Sequence, residues 1–199
     1  MPARKSLIHG VGVNDWHEST AEGSEARPFY NKWRDMLDRC YSGSHAAYEG
    51  VTVCEEWHLF SNFKRWMDSQ PWKGKELDKD ILFKGNRVYS PSTCVFVPRI
   101  INLQFRKTRN SSKQNELPAG VYLYPYDGKV VKYKVNGIGE HLGYVRDPME
   151  GHKIWQRNKI ERLKGLLGIS GDSRVDDRIV SVIEEIKTDL ENGLETDWK

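Results

Sequence analysis

The 199-residue sequence is 38% hydrophobic and 30% charged, with a formal net charge of +3. This composition is typical of one globular domain or two small ones, and the apolar runs are far shorter than the about 20 residues that span a bilayer. Three separated cysteines and an N-terminus without a long apolar run argue against a disulfide framework, secretion and membrane insertion, so we expect a cytoplasmic protein.

The charge is unevenly distributed along the chain. Residues 172–199 contain nine acids and four bases, a net of −5, which leaves 27 bases and 19 acids, a net of +8, in residues 1–171. A basic body with an acidic tail is typical of proteins that bind a polyanion.

Residues 1–28 are rich in Gly, Ser, Glu and His, and they predict a loosely ordered arm. Two helices are predicted after this arm. The first is indicated by apolar residues on one helical face, namely Trp33, Met36, Leu37, Cys40 and Tyr41. The second has an aromatic stripe that predicts core packing, namely Trp57, Phe60, Phe63 and Met67.

Residues 76–91, ELDKDILFKGNRVYSP, form a highly charged stretch. Residues 77–81 predict a strand and residues 84–86 predict a turn before a second short strand. Ser90 is then expected to cap a helix with Pro91 at its first position. The stretch therefore predicts two strands followed by a helix.

Residues 106–118 are polar and basic without periodicity, so they predict a linker between domains. Turn signals at 127–128 and 136–137 then separate three predicted strands. On the middle strand, apolar Val131, Tyr133 and Val135 alternate with Lys132 and Lys134, which predicts one apolar and one basic face.

Two helices are predicted after the sheet. Asp147 and Glu150 have the spacing of a capping box around Pro148, and they indicate a helix from 148 to about 167. A second capping signal precedes an amphipathic helix over 175–190. Two interpretations of its apolar face are open, because it can pack on its own domain or bind a second copy or another protein.

The sequence resembles two families that occur together in phage-encoded homing endonucleases. Residues 29–105 are similar to HNH-type nucleases with a ββα-metal core, through WRDMLDRCY, LDKDI and NRVYSPSTCVFV. Residues 119–168 are similar to AP2-type DNA-binding domains, through GVYLYPYDGKVVKYKV and HLGYVRDPMEGHKIW. The resemblance implies an α+β protein with a nuclease-like domain and a three-stranded antiparallel sheet with a helix, and the charge and periodicity of residues 169–199 add an acidic C-terminal helix.

The nuclease resemblance implies a divalent ion, Mg²⁺ or Mn²⁺, that clamps the scissile phosphate. It places metal ligands at Asp78 and Asn102 and the general base at Lys79, where the family has histidine. A lysine is protonated at neutral pH because its reference pKa is about 10.4, so Lys79 fits a phosphate contact or a transition-state contact better than a base. Asp80, His45 and His58 are the alternative bases.

Asn86 has two open interpretations. It corresponds to the asparagine that braces the catalytic loop in the family, and it is also an ordinary turn residue. Cys54 and His58 are spaced C-x3-H, but the chain has no paired C-x2-C elements, so the sequence does not predict a structural zinc site.

The AP2 resemblance implies DNA contacts from the basic sheet face. The candidate residues are Lys129, Lys132, Lys134 and Arg146 with Tyr122, Tyr124 or Tyr126, together with Arg87 and the linker residues Lys107 and Arg109. A solvated lysine face is the alternative.

The combined resemblance implies a phage HNH endonuclease that hydrolyses DNA phosphodiesters in the bacterial host cell. A catalytically degenerate HNH-fold protein that binds DNA or protein as an inhibitor or regulator is the alternative function.

Overall fold

A computed structural model describes residues 7–106, 117–126 and 130–198, and the chain divides into two compact units, residues 1–98 and 99–199. Helices and small sheets occur in both units, so the predicted α+β class is confirmed. None of the described helices is long and apolar enough to cross a membrane.

The first unit contains two α-helices and four short strands. The helices are α1 (Arg27–Tyr41) and α2 (Phe60–Asp68), and the strands are β1 (Thr52–Val53), β2 (Glu76–Asp78), β3 (Val88–Tyr89) and β4 (Val95–Val97). Strand β1 pairs in parallel with β3, whereas β2 pairs antiparallel with β4.

The predicted aromatic stripes form the core of the first unit. Trp33 and Met36 of α1 and Phe60 and Phe63 of α2 are buried. Trp57 lies in a 3₁₀ turn just before α2, and its carbonyl accepts a 2.7 Å hydrogen bond from the Trp33 indole. The core prediction for these residues is confirmed.

Within the predicted N-terminal arm, Ile8, Val11 and Trp16 pack against the core of the first unit, in contrast to the expected loose order. Asp15 accepts hydrogen bonds from the Ser61 amide at 2.8 Å and the Ser61 hydroxyl at 2.6 Å, and it thereby caps the first turn of α2. Gly12 lies so close to Trp33 and Leu37 that an added Cβ would come within 2.4 Å of the Leu37 Cδ1 atom.

The segment after Ser90 is a turn followed by a strand, so the predicted helix that Ser90 would cap is wrong. The Ser90 carbonyl accepts hydrogen bonds from the amides of Thr93 and Cys94, and β4 follows with all three residues buried. Pro98 disfavours helical backbone in the preceding residue, and α3 (Arg99–Phe105) begins just after it. This helix belongs to the second unit.

The second unit contains the predicted sheet and helices. Strands β5 (Val121–Tyr126), β6 (Val130–Gly137) and β7 (Glu140–Val145) form an antiparallel sheet in the order β5-β6-β7, and they precede α4 (Pro148–Lys164) and α5 (Ser173–Asn192). The β6–β7 turn lies at residues 138–139 rather than 136–137, because Asn136 and Gly137 pair with β7 and Gly139 supplies a φ of +75°. The α4 cap is as predicted, with the Asp147 carboxylate accepting from the Met149 amide at 2.6 Å.

Helix α4 packs closely on one face of the sheet. At Gly151 an added Cβ would lie within 3.3 Å of the side chains of Val121, Val135 and Val145. At Gly120, which has a φ of +79°, an added Cβ would meet the Trp155 ring at 2.0 Å. Glycine at these two contacts therefore permits the helix to approach the backbone.

Helix α5 buries its apolar face within the second unit, where it packs against α4. The buried residues are Val175, Ile179, Val182, Ile183 and Ile186. This confirms the interpretation that the helix packs on its own domain, and the face expected to contact a second copy or a partner protein is covered by the chain itself.

The C-terminal segment 194–198 is bound to α4 by buried polar side chains. The Gln156 amide donates to the Leu194 carbonyl at 3.1 Å and to the Thr196 hydroxyl at 2.9 Å. The Thr196 amide donates to Nε2 of His152 at 3.0 Å, so Nδ1 carries the proton and donates to the Ala119 carbonyl at 2.9 Å. Docking of the segment therefore requires neutral His152.

We expect acid to release this segment. Burial lowers the pKa of His152, although the Ala119 carbonyl and the carboxylates of Glu195 and Asp189 partly oppose this effect. When the segment is released, His152 regains its ordinary pKa of about 6.5 and takes up a proton more readily than when the segment is docked. Docking therefore weakens as the pH falls below that value. Hydrogen exchange at the Thr196 amide, corrected for intrinsic rates, should be at least about tenfold faster at pH 5 than at pH 7.5. A His152→Gln variant should lose this pH dependence, and equal protection of the wild type at both pH values would contradict the account.

Candidate functional site

Asp78 stands at the end of β2, where the charged stretch begins. One carboxylate oxygen accepts hydrogen bonds from the amides of Asp80 at 2.8 Å and Ile81 at 2.7 Å. Burial raises the pKa of Asp78, and the neighbouring Asp80 charge adds to this effect, whereas the two amide hydrogen bonds oppose it. Asp78 therefore has a structural role in the turn, and its carboxylate is held in a defined orientation.

Lys79 is a buried lysine, with 7% of its surface exposed. Its ammonium group donates to the Asn86 carbonyl at 3.2 Å and pairs with the Asp80 carboxylate at 3.0 Å. The rings of Tyr48 and Tyr89 lie about 6 Å from the same nitrogen. A covered lysine with these partners is poorly placed to act as a base toward water or to contact a phosphate in solution.

Asn86 braces the loop that carries Lys79. Its side-chain amide donates to the Lys79 carbonyl at 2.7 Å and to the Val88 carbonyl at 2.8 Å, and its oxygen accepts from the Val88 amide at 3.3 Å. The bracing geometry expected from the resemblance is thus present in an ordinary turn position. The catalytic role of this loop stays a prediction.

We expect Asn86→Ala to destabilise the first unit by about 1–3 kcal/mol, because two carbonyl groups lose their donor. Asn86→Asp removes the same donor but keeps an acceptor for the Val88 amide, so it should destabilise the unit by a similar amount. Denaturant unfolding at pH 7 measures both free energies. Wild-type stability in both variants would show that the brace contributes nothing. Asn62→Ala, which removes one exposed hydrogen bond from the Asn62 side chain to the Glu56 carbonyl, is the matched control.

The remaining nuclease candidates are distributed over both units. Asp78 lies in the first unit and Asn102 lies on α3 in the second, so their pairing as metal ligands stays a prediction. His45 pairs with Asp38 at 3.0 Å, and the Nε2 atom of His58 is buried without a hydrogen-bond partner among the described residues.

Neither a divalent ion nor zinc has a clustered site in the described part of the chain. Among the described residues, no group of three or more His, Cys, Asp or Glu side chains is arranged to hold a metal ion. Burial raises the pKa of Cys40 to about 11 and that of Cys94 to about 12, which disfavours the thiolate form that zinc requires. A single-carboxylate site for Mg²⁺ or Mn²⁺ at Asp78 stays a proposal.

Strand pairing brings lysines and tyrosines together on one face of the second unit's sheet. Tyr122 lies opposite Lys134, and Tyr124 lies opposite Lys132. On the other side of β6, Tyr144 lies opposite Lys134. Paired residues in antiparallel strands project to the same side, so these five residues form one surface, the tyrosine–lysine face, on the side of the sheet away from α4.

The aromatic rings of the tyrosine–lysine face are accessible. Tyr124 is 40% exposed and Tyr144 is 50% exposed, and their ring centroids are 5.1 Å apart. The ring centroid of the exposed His141 lies 4.7 Å from that of Tyr144, so His141 extends the same surface. The sequence analysis missed Tyr144 and His141, although their positions on the third predicted strand could have indicated them. Adjacent rings and cations match the sugars, bases and phosphates of nucleic acids.

The other predicted DNA contacts are more dispersed. Arg146 is exposed just after β7, whereas the Arg87 guanidinium donates to the Glu49 carbonyl within the first unit. Lys129, Lys107 and Arg109, with the side chain of Tyr126, lie outside the described residues.

Comparison with protein-family models, with curated proteins and with solved structures found no match for this chain.

Proposed function

We propose that this protein binds nucleic acid, and DNA in particular, through the tyrosine–lysine face of its second unit. The observation that carries the proposal is the pairing of Lys132 and Lys134 with Tyr124 and Tyr144 on one accessible sheet surface. The order of the strands and helix, and the resemblance to AP2-type domains, support the same function. The net charge of +8 on residues 1–171 supports a polyanionic partner.

The chemistry of this surface favours contacts to the DNA backbone. Lysine ammonium groups neutralise phosphates and release counterions, and tyrosine hydroxyls donate to phosphate oxygens. The described face carries lysines rather than arginines. Lysine lacks the planar guanidinium group with which arginine donates two hydrogen bonds to the edge of guanine. Binding with modest sequence preference is therefore the expected behaviour.

The test is fluorescence anisotropy with the full chain and a labelled duplex of mixed sequence, at several salt concentrations. With two or more lysine–phosphate contacts, the logarithm of the binding constant should fall with the logarithm of salt with a slope of about −2 or steeper. No binding at about 50 mM salt, the lowest concentration in the series, would contradict the proposal.

A second candidate function is metal-dependent DNA cleavage by the first unit, as in the HNH endonucleases that the sequence resembles. The observation that favours it is the braced loop between β2 and β3, with Asp78 at its start and Asn86 as its brace. The burial of Lys79, whose ammonium group pairs with the exposed Asp80 carboxylate, favours the degenerate alternative, a binding protein on the same scaffold. The DNA-binding proposal stands under either alternative.

A further inference from the structure

A separate pocket of about 200 Å³ lies within the second unit, between α3, α4, the edge of β5 and the C-terminal segment. This volume is below the roughly 300–1,000 Å³ of sites for drug-sized ligands, so the pocket suits a small ligand. Its aromatic walls are Trp155, Trp198 and Tyr122. The Trp155 and Trp198 ring centroids are 5.7 Å apart, with their planes inclined at 66°.

The pocket also contains a buried lysine side chain. Lys159 is 3% exposed, and its ammonium group contacts the backbone carbonyl and the side-chain oxygen of Gln104 and the ring of Trp198. Among the described residues no carboxylate forms an ion pair with it. Burial lowers the pKa of Lys159 to about 7, with a smaller effect of the same sign from Arg162. A buried ammonium group in this state is stabilised by a ligand that brings negative charge.

A second cation lies at the same pocket. Arg106 is exposed at the end of α3 and lines the pocket with Lys159. Arginine and lysine together bind phosphate oxygens well, and indole rings stack on nucleobases whatever the base. Rings and cations in one small pocket therefore match a ligand that has both an aromatic base and a phosphate.

We propose that this pocket binds a single nucleotide, with the base against the indole ring of Trp198 and the phosphate on Lys159 and Arg106. The inference extends the proposed function, since the nucleotide can be free or can be an unstacked residue of a nucleic-acid strand. The two sites share Tyr122, but the pocket does not use Lys132, Lys134, Tyr124 or Tyr144, so the two proposals can fail separately.

The test is calorimetric titration of the full chain with deoxyadenosine monophosphate, deoxyadenosine and inorganic phosphate. The nucleotide should bind at least about tenfold more tightly than either fragment, because only the nucleotide engages both the Trp198 ring and the cations. Nucleotide binding should also take up protons at pH 8 and weaken between pH 7 and pH 9, since the bound phosphate favours charged Lys159. Equal affinity for the nucleotide and its fragments would overturn the proposal.

Variants locate the site. Lys159→Met and Arg106→Gln should each weaken nucleotide binding but leave deoxyadenosine binding unchanged, whereas Trp198→Ala should weaken both at least about tenfold. Lys164→Met, on the exposed side of α4, is the control. Arg106 is exposed, so its variant tests the site even if Lys159→Met fails to fold. Nucleotide affinity that none of the three pocket variants changes would overturn the proposal.

Two further arms identify the source of the nucleotide and separate the two proposals. Competition by a single-stranded oligonucleotide would support a strand residue as the occupant, and its absence would support a free nucleotide. Nucleotide binding that survives Lys132→Gln with Lys134→Gln would support a pocket independent of the tyrosine–lysine face. Loss of nucleotide binding in that double variant would overturn the placement of the phosphate on Lys159 and Arg106.

Discussion

Replacing Tyr124 and Tyr144 with alanine and Lys132 and Lys134 with glutamine should reduce duplex DNA affinity by about 100-fold at 100 mM salt. The two lysine substitutions should also reduce the salt slope by about 2, because each removes one phosphate contact. The four side chains lie on the sheet face away from α4, so the fold of the unit should persist. Anisotropy titration measures both quantities, and circular dichroism checks the fold.

The matched control for this variant neutralises lysines elsewhere in the same unit. Lys164→Gln with Lys187→Gln removes two exposed lysines from α4 and α5, so it changes the net charge equally. Its affinity should stay within about threefold of the wild type, since distant charges are screened beyond about 10 Å at this salt concentration. If both variants lost affinity equally, net charge rather than the tyrosine–lysine face would account for binding.

The cleavage proposal predicts that plasmid nicking requires Mg²⁺ or Mn²⁺ and falls at least about 100-fold in Asp78→Asn. Asparagine keeps an oxygen that accepts from the amides of Asp80 and Ile81, so this variant removes the charge while retaining the turn. Because the pKa of Asp78 is raised, its carboxylate becomes protonated at a higher pH than an ordinary aspartate, so metal binding and nicking should decline as the pH falls. Gel analysis of supercoiled plasmid measures the rate.

Asp35→Asn, on an exposed part of α1, is the control for the loss of one carboxylate, and it should nick at the wild-type rate. If the wild type does not nick DNA with either metal ion but still binds it, the degenerate alternative is supported. Nicking that Asp78→Asn leaves unchanged would exclude this residue as the metal ligand.

Elements with strong local signals were predictable from the sequence. The aromatic spacing of α1 and α2 specified buried faces, and the Asp147 cap specified the start of α4 because Pro148 removes one unsatisfied donor. The alternation along β6 placed Lys132 and Lys134 on the face opposite Val135. These features depend on periodicity and capping, which are local properties.

Features that depend on distant contacts were not predictable. The order of residues 7–28 depends on Asp15 capping α2 through Ser61, 46 positions away. The apolar residues of β4 fit a buried strand or a buried helix equally well, and the pairing with β2 decides between them. The burial of Lys79 depends on the carbonyl of Asn86 across the loop, so the spacing of charges alone could not show that its ammonium group is covered.

Photo-crosslinking tests the central claim most directly, because it identifies the residues that touch DNA. The full chain is irradiated with a duplex that carries 5-bromodeoxyuridine, and the crosslinked peptides are mapped by mass spectrometry. We predict crosslinks to β5 and β7, at Tyr124 or Tyr144, that are lost with excess unlabelled duplex. Crosslinks confined to the first unit would contradict the assignment of DNA binding to the tyrosine–lysine face.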